Sequence, residues 1–190
     1  MIKEKNIKII DNFLDKEVFK KLQAFLLSSQ CAWFYNEKIV DYTQKSFKNP
    51  YPVSLVKGYE VTDAHQFTHT FLRNQAHWSD ATPHIEPLLS KINSRFWIRI
   101  KGNLSSIYST PIVGGWHCDC ETDEGTPWMD TITSIFYINT NNGSTLLENG
   151  KKISCVENRL AIFPNHMAHT GVSQTDTKIK VTLNLNYLDK

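Results

Sequence analysis

The stretch Lys178-Ile179-Lys180-Val181-Thr182-Leu183-Asn184-Leu185-Asn186-Tyr187 decides the fold. Ile179, Val181, Leu183, Leu185 and Tyr187 fall on one face, and Lys178, Lys180, Thr182, Asn184 and Asn186 on the other. That period of two is the signature of a β-strand. An amphipathic strand of an ordinary antiparallel sheet turns such a polar face to water. Here Thr182, Asn184 and Asn186 lack the charges typical of an exposed strand. That takes some weight from the exposed reading, which is still the commoner case, and a polar face with a lysine also fits the lining of a barrel that holds an anionic ligand.

Working back along the chain, the period persists as far as Arg95. Phe96–Lys101, Ser105–Tyr108, Thr131–Ile138, Thr145–Leu147 and Leu160–Phe163 all read as short strands. Asn141-Asn142-Gly143 and Glu148-Asn149-Gly150 are turn signals between them. Many short strands separated by turns predict a sandwich or barrel.

The first half reads differently. Lys8–Ile10 is a short strand, and Phe13, Leu14, Val18, Leu22, Phe25 and Leu26 then recur at mostly helical spacing. That predicts a helix over 16–27, with Asp15 as its N-cap. Residues 31–60 carry Trp33, Phe34, Tyr35 and further aromatics without a regular period. Such a stretch is a lid or binding loop as readily as a packed surface excursion. His65–Phe71 reads as a strand with His65, Phe67 and His69 on one face, the histidines being structural or substrate-side. Pro83 opens a second helix whose apolar face is Ile85, Leu88, Leu89 and Ile92. Pro87 fits only within its first turn. Helices first and strands later give an α+β class that is mainly β.

The 190 residues, 41% apolar and 21% charged, suit one soluble globular domain. A formal net charge of +2 gives no ground for a nucleic-acid partner. No apolar run reaches the length of a membrane span. Met1-Ile2-Lys3-Glu4-Lys5 lacks the pattern of a signal peptide. The expectation is a cytoplasmic protein in which Cys31, Cys118, Cys120 and Cys155 are reduced thiols.

The chemistry centres on Gly114-Gly115-Trp116-His117-Cys118-Asp119. In an extended segment His117 and Asp119 point to one side and Cys118 to the other. A second imidazole comes from Phe163-Pro164-Asn165-His166-Met167-Ala168-His169, and spacing alone leaves His166 and His169 both open. Two imidazoles and a carboxylate on one side of a metal leave the opposite positions free, which suits Fe(II) that must take a co-substrate and O₂ together. Structural zinc fits less well, because Cys118-x-Cys120 has no second cysteine pair.

His117-x-Asp119, a later His169 and a basic residue on the final strand resemble the Fe(II)- and 2-oxoglutarate-dependent dioxygenases, in their prolyl 4-hydroxylase-like branch. The resemblance spans nearly the whole chain. It implies a double-stranded β-helix, the cupin-like jelly roll, over about 95–190, backed by N-terminal helices over about 1–94, as one domain over 1–190. It implies His117, Asp119 and His169 as iron ligands and Lys180 as the partner of the distal carboxylate of 2-oxoglutarate, with Lys178 as the alternative. Tyr108 and Tyr137 match positions that reach the co-substrate. Arginine is commoner than lysine at the Lys180 position; a lysine offers a point charge in place of a fork.

The implied activity is hydroxylation of an unactivated C–H bond with release of succinate and CO₂, on a small-molecule or peptide or protein substrate, with a prolyl or other amino-acid side chain favoured. Two other readings remain: a catalytically silent barrel that binds a ligand or partner, and a cupin-type metalloprotein of different chemistry.

Overall fold

The computed structural model describes residues 7–39, 60, 61, 64–122 and 125–189. Thirteen named strands and two α-helices lie among them. The first strand, β1, is Lys8–Ile10, and α1 follows at Lys16–Leu26. Next come β2 (Phe34–Asn36), β3 (Glu60–Val61), β4 (Gln66–Arg73), β5 (Ala76–His77) and α2 (Glu86–Ile92). The remaining strands are β6 (Phe96–Ser106), β7 (Ile112–Val113), β8 (Ile132–Tyr137), β9 (Ser144–Leu147), β10 (Lys152–Ser154), β11 (Arg159–Pro164), β12 (His169–Val172) and β13 (Ile179–Leu188).

The strands form two sheets. The larger runs β1-β11-β8-β13-β6-β4-β2, with β5 beside β4; the smaller runs β10-β9-β12-β7-β3. All pairings are antiparallel except β3 with β7. This is the mainly β, two-sheet architecture that the strand pattern predicts, arranged as the double-stranded β-helix that the resemblance implies. The first half of the chain adds strands as well as helices, since β1, β2, β4 and β5 all join the larger sheet.

β13 lies at the middle of that sheet, between β8 and β6. Its apolar residues Val181, Leu183, Leu185 and Tyr187 are buried in one cluster with Phe19, Leu22, Phe25 and Leu26 of α1 and Leu88 and Leu89 of α2. The helices therefore cover one face of the larger sheet. Each such side chain contributes about 1.5–3 kcal/mol by leaving water. The polar face of β13 turns the other way, into the space between the sheets, so neither face is given to bulk water.

Asp15 is the N-cap of α1, as predicted, although its side chain makes no cap bond, and the helix ends one residue short of the predicted 27. The entry is fixed instead by Asn158, whose side chain accepts from the Leu14 N–H at 2.8 Å and donates to the Leu14 carbonyl at 2.8 Å. The second helix differs from expectation at its start. Pro83 opens a 3-10 turn over Thr82–His84, and the α-helix begins only at Glu86, with Pro87 in its first turn. Proline lacks an N–H and its ring crowds the preceding turn, so the helix has to restart there. It ends on Asn93 at φ 56, the left-handed cap that asparagine tolerates.

Residues 96–101 and 105–108, read as separate strands, are one strand as far as Ser106. Gly102 in its middle leaves room for an aromatic ring, since a Cβ there would lie 3.0 Å from Cη2 of Trp33. The candidate lid at 31–60 falls mostly outside the described residues.

Candidate metal centre

His117 and Asp119 do not lie in a regular strand. β7 ends at Val113, and His117 makes an isolated antiparallel bridge with His169 at the start of β12. The two residues exchange backbone hydrogen bonds, each N–H reaching the other's carbonyl at 3.0 Å. Directly paired residues of an antiparallel bridge project side chains to the same side, and the two imidazoles stand with ring centroids 4.6 Å apart. The chain then bends and carries Asp119 beneath them. The bend is held by buried Asn165, which accepts from the Cys120 N–H at 3.0 Å and donates to the Cys120 carbonyl at 2.7 Å.

His117, Asp119 and His169 form the one cluster of three potential metal ligands among the described residues, with ligand atoms within 4.8 Å of one another. Asp119 Oδ1 is 3.9 Å from His117 Nε2, and Oδ2 is 3.6 Å from His169 Nε2. The Nδ1 of His117 faces the Gly115 carbonyl at 3.0 Å, which leaves Nε2 for a metal. His166 sits in the turn between β11 and β12, outside the cluster, and geometry thus separates the two histidines that spacing left open. Cys118 packs instead on the side of Val113, Trp116 and Val172.

Asp119 is buried under a ring of donors. Arg99 Nη2 reaches Oδ1 at 2.9 Å, Asn184 Nδ2 reaches the two oxygens at 3.1 and 3.0 Å, and Asn186 Nδ2 reaches Oδ2 at 3.1 Å. Thr133 donates to Oδ2 at 3.2 Å. Burial by itself would raise the carboxyl's pKa. The charges of His169, Arg99 and His117 and the Asn184 bond outweigh it and hold Asp119 well below the usual carboxylate range. Burial, with its neighbour His169 second, lowers His117 to about 4, and burial lowers His169 as well. At neutral pH the cluster is therefore one carboxylate and two neutral imidazoles, the protonation state that binds a divalent metal.

One cavity between the sheets joins this cluster to the remaining residues singled out in the sequence: Tyr108, Tyr137 and Lys180 all line it with His117, Asp119 and His169. Lys180 Nζ donates to the Val172 carbonyl at 2.6 Å and has no other hydrogen-bond partner among the described residues. Burial lowers its pKa. Lys178 precedes β13 and is exposed. Tyr137 donates to Thr145 Oγ1 at 2.8 Å, while the Tyr108 hydroxyl is buried without a partner. Buried Ser144 Oγ, Asn103 Oδ1 and Asn184 Oδ1 on the same walls also have none. A cavity lined by unmatched polar atoms is built for a polar guest.

The two histidines of β4 part company. His69 is structural, its ring nitrogens engaging the Ala32 carbonyl at 2.6 Å and Ser79 Oγ at 2.7 Å. His65 lines the cavity, its ring 6.2 Å from that of Tyr108.

Arg99, Asn184, Asn186 and Thr133 did not emerge from the sequence as partners of Asp119, and Lys101 on the cavity wall was not singled out at all. The available signal was the alternation of β6, where Arg99, Lys101, Asn103 and Ser105 share the polar face. That face meets the polar face of β13 in register.

The sequence matches no family model and no curated protein. Solved structures do match. A prolyl hydroxylase from Trichoplax adhaerens, in complex with a hypoxia inducible factor peptide fragment, superposes with a TM-score of 0.63 at 13% identity, over 98% of this chain and 84% of that one. A prolyl-4-hydroxylase from Pseudomonas putida gives 0.58 at 12% identity, over 97% and 93%. The viral collagen prolyl hydroxylase of Paramecium Bursaria Chlorella virus-1, in its 2-oxoglutarate complex, gives 0.56 at 12% identity, over 98% of both chains. This chain has the fold of the 2-oxoglutarate- and Fe(II)-dependent oxygenases, with a His-Asp-His cluster between its two sheets.

Proposed function

We propose that the protein is a 2-oxoglutarate-dependent Fe(II) oxygenase that hydroxylates an unactivated C–H bond, on a prolyl or other amino-acid side chain of a small molecule or peptide. The observation that carries this reading is the pairing, within one cavity, of a three-ligand cluster with a half-buried lysine that lacks an anion among the described residues.

The donor set fits iron. Two imidazoles and one carboxylate suit a non-haem Fe(II) site with open positions, and all three groups already hold the required protonation state. Bound Fe(II) supplies the oxidising power for C–H cleavage together with O₂ and the co-substrate. The chain's own work is positional. His117, Asp119 and His169 would hold the ion, and the donors around Asp119 fix the orientation of its carboxylate. Lys180 binds the distal carboxylate of 2-oxoglutarate, with Tyr137 and Tyr108 beside the co-substrate. The buried walls keep water away from the reacting groups. No protein general base is needed to break the C–H bond, and none is assigned.

Anaerobic titration with Fe(II) and 2-oxoglutarate tests this. A weak visible charge-transfer band is expected only when both are present, and His117→Ala should abolish it. Lys180→Ala should weaken 2-oxoglutarate binding far more than Lys178→Ala. No band in the native protein, with metal content unchanged by His117→Ala, would refute the oxygenase reading. The reverse ranking of the lysines would refute the assignment of Lys180.

A further inference from the structure

Lys101 is left without a role by the mechanism above. It projects from β6 into the same cavity as the metal cluster and Lys180. Its ammonium has no hydrogen-bond or ion-pair partner among the described residues. Along β6 it sits opposite Asn184, whose side chain holds Asp119, while Lys180 sits opposite Ser105. The two lysines thus stand at two levels of one polar wall, Lys101 on the side of the metal cluster and Lys180 farther from it.

The charge balance at the metal end is uneven. Arg99 already engages Asp119 at 2.9 Å, and the Lys101 charge acts on His117, His169 and Asp119 alike. A divalent cation bound there would add two more positive charges against the single carboxylate of Asp119. An unpaired ammonium in that position is unfavourable unless an anion lies between it and the metal. Burial, followed by the Arg99 charge, lowers the Lys101 pKa to about 8.

We infer that Lys101 binds the metal-proximal carboxylate of the 2-oxo acid, so that Lys101 and Lys180 clamp the co-substrate at its two ends. The inference rests on the oxygenase reading and goes beyond it. The spacing is compatible. Four residues along β6 separate the two levels, roughly 13 Å. A five-carbon dicarboxylate spans about 5 Å between its terminal carbons. A charged contact of about 2.8 Å at each end then brings the ammonium groups to about 11 Å apart, within reach of two flexible lysines rooted at those levels. Lys101 is accordingly a co-substrate-binding residue, and its contact does not depend on the distal carboxylate.

That independence gives the test. Binding of 2-oxoglutarate and of 2-oxovalerate, which lacks the distal carboxylate, is measured by anaerobic calorimetry on the Fe(II)-loaded protein. Native, Lys101→Met and Lys180→Ala forms are compared. Lys101→Met should lose about 10- to 100-fold for both ligands, while Lys180→Ala should lose affinity for 2-oxoglutarate alone. Fe(II) affinity without ligand should not fall in Lys101→Met. Thermal denaturation verifies folding, and Lys101→Gln serves as a second variant if the methionine form is poorly folded.

Unchanged binding of both ligands in Lys101→Met overturns the inference. If turnover nevertheless falls, Lys101 belongs to the primary substrate. Loss for 2-oxoglutarate alone overturns it too, since Lys101 would then serve the distal carboxylate. Failure of the native protein to bind metal or either 2-oxo acid overturns the oxygenase reading itself.

Discussion

Arg99 gives the sharpest stability prediction, because its contact with Asp119 exists before any metal binds. The perturbation is Arg99→Met in metal-free protein at pH 7. Arg99 Nη2 lies 2.9 Å from Oδ1 of Asp119, whose side chain is 4% exposed, against 27% for Arg99. A hydrogen bond to a charged group contributes about 1.5–3 kcal/mol. The residual exposure of Arg99 and the remaining Asn184, Asn186 and Thr133 donors place this one at the lower end. A loss of about 2 kcal/mol, at about 2–4 °C per kcal/mol for a chain of this size, lowers the melting temperature by roughly 4–8 °C. Urea denaturation with chelator present measures it. The control is the Asp119→Asn background, where the carboxylate charge is gone and the same substitution should cost under about 1 kcal/mol. Equal costs in the two backgrounds, or no cost in the native one, would refute the claim that the Arg99 charge holds this carboxylate.

The remaining predictions concern the cavity and the frame around it. A Cβ at Gly143 would lie 2.9 Å from the Val172 carbonyl and 3.2 Å from Lys180 Cδ. Gly143→Ala should therefore cost about 1–3 kcal/mol in urea denaturation and weaken 2-oxoglutarate binding; native-like stability and affinity would show that this wall yields freely. Asn158, at φ 59, ties both backbone groups of Leu14. Asn158→Ala should cost about 3 kcal/mol, and Asn158→Gly should recover the backbone share, about 1 kcal/mol. Lys101 also fixes a pH dependence. Its folded pKa of about 8 lies below the ordinary 10.5, so between those values the unfolded chain holds the extra proton and this lysine's contribution to stability rises with pH. In metal-free protein, the stability advantage of Lys101→Met over native should shrink from pH 8 to pH 10. A constant or growing difference would contradict a buried, unpaired ammonium.

The period of two along 178–187 was enough to predict a long strand, because alternation is a local property of the backbone, but whether its polar face met water or a cavity was settled only by the second sheet. His117 and Asp119 were legible as a His-x-Asp pair, but the structure brings Asp119 to the cluster through a bend at 119–120 rather than along an extended strand. His169 rather than His166, and Lys180 rather than Lys178, were not decided by spacing. In the structure His166 lies in a turn at 165–166, outside the cluster, and Lys178 lies before the strand that begins at Ile179, exposed, while Lys180 lines the cavity. Arg99 and Lys101 are the clearest case of information held only in three dimensions. Alternation within β6 puts them on a polar face. The register that sets Arg99 opposite Asn186 and Lys101 opposite Asn184 is a pairing between segments more than 80 residues apart. The apolar faces of both strands pack in one cluster with the helices, and a shift of the register by one residue would turn the polar faces into that cluster.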